Sequence, residues 1–118
     1  MADHSETLTL PQPRSGQLKI NVQLSADVNI TAVVARRKVN AFLATYVGNL
    51  LLADEPTLTM GEQIVWRVPV DLTMPDVGRI GRVGEIDVDI ENGDLLVGEE
   101  QLVKMKEHAH RLATGSPL

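Results

Sequence analysis

Between Gln17 and Leu24 apolar and polar residues alternate strictly, with Leu18, Ile20, Val22 and Leu24 set against Gln17, Lys19, Asn21 and Gln23. A period of two puts every second side chain on one face, so this segment predicts a strand with one buried face. The period then changes. Ala32, Ala35, Val39, Phe42, Leu43, Tyr46 and Leu50 fall on one side when successive residues turn by about 100°, which predicts an amphipathic helix. Asn29 or Thr31 can cap it, because either side chain can accept from the unpaired amides of the first turn. Pro56, after Asp54 and Glu55, argues against helix much beyond Leu52.

Alternation returns in a long acidic ribbon. Ile64, Trp66, Val68, Val70, Leu72 and Met74 alternate with Val65, Arg67, Pro69, Asp71 and Thr73, and Met74-Pro75-Asp76-Val77-Gly78 supplies a turn. The return strand carries Ile86, Val88 and Ile90 on one face and Glu85, Asp87, Asp89 and Glu91 on the other. A two-residue turn at Asn92-Gly93 would pair Ile90 with Leu95 and Val88 with Val97, all four on one face. Pro69 lacks an amide donor and favours an edge or a bulge. From Glu99 to Ala113 the helical period reappears, with Leu102, Met105, Ala109 and Leu112 inward. Glu99 and Glu100 in the first turn and Arg111 near the end favour the helix dipole. The order β-α-β-β-β-α predicts an α+β fold, an antiparallel sheet with helices packed on it. Residues 1–16 read as a flexible N-terminal tail, residues 17–113 as a single domain and residues 114–118 as a C-terminal tail.

Composition narrows the function. The 118 residues suffice for one domain, and at 43% apolar but only 3% aromatic the core must be built from aliphatic side chains. With no cysteine, disulfides, thiolate nucleophiles and cysteine-bound zinc are excluded. The start of the chain is polar and has no basic, apolar signal-peptide pattern, and no apolar run approaches a membrane span. A net charge of −5 argues against general nucleic-acid binding, which needs clustered cations. These features together predict a cytoplasmic protein.

The candidate chemistry is sparse. Gly78-Arg79-Ile80-Gly81-Arg82-Val83-Gly84 superficially resembles a phosphate-cradling loop, but such loops lead into a helix and here a strand follows. Glycines in a strand mark bulges or close backbone approach; were an anion bound, Arg79 and Arg82 would hold it. Asp87, Asp89 and Glu91 have the spacing of a calcium loop's opening, but Asn92 replaces its glycine and Gly98 its closing acid. They read as a solvated acidic strand face, and also as a docking surface for a basic partner. His108 and His110 on a helix point about 200° apart and cannot share an ion. Arg36, Arg37 and Lys38 spread around the first helix and form no single phosphate-binding face. No nucleophile, base and acid set is present, so no catalytic residue, metal or cofactor is expected.

The outer face of the first helix is formed by Val34, Ala41, Ala44, Thr45 and Gly48 with Arg37, small or apolar where solvent would favour charge. A second subunit covering it is the expectation. The chain thus reads as a non-enzymatic, homo-oligomeric protein-interaction module, an accessory or antitoxin-like partner; the alternative is a small-ligand or anion sensor using the Gly78–Gly84 ribbon.

The hairpin Val88-Asp89-Ile90-Glu91-Asn92-Gly93-Asp94-Leu95-Leu96 resembles the closing hairpin of PepSY-type domains, with a Val-Asp step, a Gly turn and an acidic-apolar exit. The preceding helix and the Trp66-Arg67-Val68 strand fit the same helix-then-meander plan, over about Thr31 to Val97. The resemblance implies an inhibitory or accessory module, typically exported. This chain departs from it in lacking a signal peptide and in its additional amino-terminal strand and carboxy-terminal helix. The stretch from Gln17 to Ala113 also resembles small uncharacterised prokaryotic proteins, a likeness that implies no activity.

Overall fold

The computed structural model describes residues 25–48 and 50–115. The predicted tail at 1–16 and strand at 17–24 lie outside the described residues. Within them the architecture is α+β: helix α1 (Ala32–Tyr46), strands β1 (Leu51–Ala53), β2 (Thr57–Met60), β3 (Ile64–Met74), β4 (Gly78–Asp89) and β5 (Leu95–Leu96), and helix α2 (Glu99–Thr114). All strand pairs are antiparallel, in the order β1-β3-β4-β5, with β2 pairing β3 beyond β1.

Both helices pack on one face of the sheet, where alternation directs Val68, Val70 and Leu72 of β3 and Ile86 and Val88 of β4. Ala35, Val39 and Leu43 of α1 and Met105 of α2 complete this core. Thr31 is the α1 cap, its side chain accepting from Val34 N at 3.2 Å. Asn29 has a different role: its own amide and that of Ile30 donate to Ile90 O at 2.9 and 3.0 Å. Trp66 Nε1 donates to Ile30 O at 2.7 Å, so the segment entering α1 is tied to both long strands. The indole is half-buried against the core.

Four expectations need correction. The first helix ends at Tyr46, where Val47 N and Gly48 N both donate to Leu43 O. The apolar run that appeared to extend it becomes β1, which leaves Tyr46 and Leu50 67% and 40% exposed and buries Leu51 and Ala53 instead. Strand β2, Thr57–Met60, has no counterpart among the predicted elements. The β4–β5 register differs from the two-residue turn by two positions, with Val88 opposite Leu95 and Asp87 opposite Leu96. Asp89 is the reason: its Oδ1 accepts from Glu91 N and Asn92 N at 2.8 and 3.1 Å, and Gly93 at φ 79° closes a longer loop. A shift of two preserves the face of each side chain, so Val88 and Leu95 remain together. Finally, α2 includes Thr114 and is closed by Gly115 at φ 74°, its amide donating to Arg111 O and Leu112 O.

Candidate functional site

The repeat in β4 is the most unusual local feature. Against β3, Gly84 lies opposite Val70, Arg82 opposite Asp71, Gly81 opposite Leu72 and Arg79 opposite Thr73, with register shifts between each pair of steps. Val83 and Ile80 are therefore the extra residues of two successive β-bulges. Each bulge absorbs one residue of the Arg-Ile-Gly, Arg-Val-Gly repeat and turns a sequence period of three into a face period of two. Both arginines reach the helix-free face, and both glycines turn to α2.

The glycines accommodate close packing there. A Cβ on Gly84 would lie 2.8 Å from Met105 Cε, and one on Gly81 would lie 3.2 Å from Leu112 Cδ1. Met105 and Leu112 are two helical turns apart, so α2 runs along β4 with one contact per glycine.

On the opposite face the arginines converge on a buried carboxylate. Asp71 is 4% exposed and is the only buried charged residue among those described. Arg79 Nη1 donates to its Oδ2 at 2.5 Å and Arg82 Nε to its Oδ1 at 2.7 Å. Arg82 Nη2 also reaches Asp54 Oδ2 at 3.2 Å, while Arg36 Nε donates to Ala53 O at 3.2 Å and Arg79 Nη2 reaches the same oxygen at 3.5 Å. The hydrogen bond to Asp71 is the main cause holding the Arg82 guanidinium above its ordinary value, partly opposed by burial. The Asp54 carboxyl is lowered, chiefly by the hydrogen bond from Glu55 N, against an opposing effect of burial and with Arg79, Arg82 and Arg36 adding to the lowering.

A second pairing lies further along the same face. Arg67 forks Asp87 through Nε and Nη2 at 2.9 and 3.1 Å, which raises the guanidinium above its ordinary value. Of the predicted acidic row, Asp87 is thus internally paired. Asp89 accepts from the turn amides and from Gln63 Nε2 at 2.7 Å, and Glu91 sits exposed in the turn with its carbonyl accepting from Asn29 Nδ2. The predicted docking set therefore separates into two residues satisfied by their neighbours and one in solvent.

On the outer face of α1, Arg37, Ala41 and Ala44 are exposed and Val34 is half-buried, while Gly48 lies beyond the helix. Gly48 instead lines an apolar groove of about 330 Å³ between the end of α1, β1 and α2, with Val47, Leu50, Leu72, Ala109 and Ala113. His110 is exposed and His108 half-buried, and among the described residues no three acidic or histidine side chains gather in a way that could hold a metal ion.

Sequence reading missed Asp71 as the centre of the arginine cluster. Its signal was a carboxylate in an otherwise apolar strand, opposite a basic repeat whose phase only the bulges reveal. No family model, curated protein or solved structure matches this chain.

Proposed function

We propose that this chain is a non-enzymatic, homo-oligomeric interaction module that serves another protein as an accessory or antitoxin-like partner. The observation that carries this reading is the groove between α1, β1 and α2, whose walls are almost wholly aliphatic, with Lys106 and His110 as its polar members. An open apolar groove on a small chain gains stability by taking an apolar side chain from outside. The role agrees with that implied by the PepSY resemblance, and its setting is cytoplasmic, without nucleic acid, membrane or cofactor. Among the described residues no helix is long and apolar enough to cross a membrane.

The anion-sensor reading draws less support, because Arg79 and Arg82 already share the Asp71 carboxylate. The test is sedimentation velocity across a concentration series, with capture of partners by wild type and by Ala113→Glu. Self-association, with a stoichiometric partner lost in Ala113→Glu, is expected. A strict monomer that captures nothing overturns the proposal.

A further inference from the structure

Among the strand edges with no strand beside them in the described residues, those of β4 and β2 differ sharply in chemistry. The outer edge of β4 is open from Gly78 to Ile86, because β5 pairs only with Asp87 and Val88. It is interrupted by two bulges, carries Arg79, Arg82 and Glu85, and has Gln101 Nε2 donating to Glu85 O. Bulges, charge and a covering side chain are the means by which edges avoid pairing.

The outer edge of β2 has none of these devices. Thr57-Leu58-Thr59-Met60 is regular, pairs residue for residue with β3 and contains no charge, glycine or proline. Leu58 and Met60 project to one face and are 50% and 46% exposed, while Thr57 and Thr59 project to the other.

We propose that β2 pairs antiparallel with β2 of a second copy of this chain, with Thr59 on the twofold axis, joining two sheets into one. The proposal rests on the self-associating reading above and names the surface. Complementarity decides the occupant. In this register Thr59 faces the partner's Thr59, and Leu58 faces the partner's Met60 on the apolar side. At the ends Thr57 meets the partner's Gly61, Pro56 the partner's Glu62, and Glu55 the partner's Gln63. No charge meets its like, and both apolar side chains gain an apolar cross-strand neighbour.

The test uses single substitutions at the axis. Thr59→Lys and Thr59→Glu each place like charges directly opposite across the axis and should sediment as monomers. An equimolar mixture should recover the doubled mass, because the charges then attract. Thr59→Cys, the lone cysteine in a chain that has none, should give a covalent dimer on mild oxidation, since directly opposed residues lie within disulfide reach. This near-isosteric change keeps the test decisive if a charged variant fails to fold. A wild-type dimer that survives both charges and gives no cross-link overturns the β2 interface and leaves the self-associating reading standing. A monomeric wild type overturns both.

Discussion

Gly84→Val tests the account of β4 most directly. The new Cβ would lie 2.8 Å from Met105 Cε and 3.6 Å from its Cγ, and carbon atoms at rest stand about 3.5–4.0 Å apart. Met105 is only 2% exposed, so its methyl cannot swing into solvent; it must change rotamer within the core, or α2 must lift. Overpacking of this kind costs about 1–3 kcal/mol, and replacing a strand glycine returns roughly 0.5–1 kcal/mol. A net destabilisation of about 1–2 kcal/mol is expected. Met105→Ala alone should cost about 2–5 kcal/mol through lost burial and the cavity left. Combined, the valine methyls occupy the space the thioether vacates. The double variant should therefore be more stable than the sum of the singles by at least about 1 kcal/mol. Urea unfolding followed by circular dichroism measures this as a shift in midpoint at constant slope, roughly 1 M for Gly84→Val at a typical slope. Additivity within about 0.5 kcal/mol, or a neutral Gly84→Val, would refute close packing of α2 on this glycine.

Asp71→Ala should destabilise by about 1.5–3 kcal/mol in thermal unfolding, the net worth of charge-assisted bonds, because its two guanidinium partners retain access to water and are not stranded; a neutral result would remove Asp71 as the centre of the cluster. Thr31→Ala should cost about 1 kcal/mol through loss of the α1 cap, measured by chemical denaturation, whereas Asn29→Ala should leave α1 helicity unchanged. Trp66→Phe deletes the bond to Ile30 O and should cost about 1–2 kcal/mol by urea titration, with faster amide exchange at Asn29 and Ile30 as the local signature. The lowered Asp54 carboxyl contributes stability that is present above its unfolded value and is lost as pH falls through its folded one; carbon-detected titration should find it below an ordinary aspartate, and less so in Arg82→Gln.

Most of the fold was legible where a pattern had room to repeat. α1 shows its inner face through Ala35, Val39 and Leu43, and the long strands β3 and β4 declare themselves by alternation over more than five residues. β1 was not legible, because Leu50-Leu51-Leu52-Ala53 continues the helical phase of α1 and three residues are too few to establish a period of two. The hairpin register depended on a side chain rather than on pattern: Asp89 captures two amides and lengthens the loop that Asn92-Gly93 alone would have made short. Arg79 and Arg82 were picked out as charges, yet strict alternation would send residues three apart to opposite faces. Only the bulges at Ile80 and Val83 bring them together on Asp71.

The same bulges set the unit in which this strand can change length. One Arg-aliphatic-Gly triplet contributes two ladder positions and one residue outside the ladder. Excising or duplicating a whole triplet therefore shifts the ladder by an even number and leaves every later side chain facing as before. Removing Ile80 alone would only erase its bulge, whereas removing Ile80 and Gly81 together would take out one ladder position and reverse the faces of the residues on one side of the cut. β4 is thus a strand whose faces survive the loss of one bulge residue or of a whole triplet but not of two residues, a rule of spacing imposed by backbone geometry.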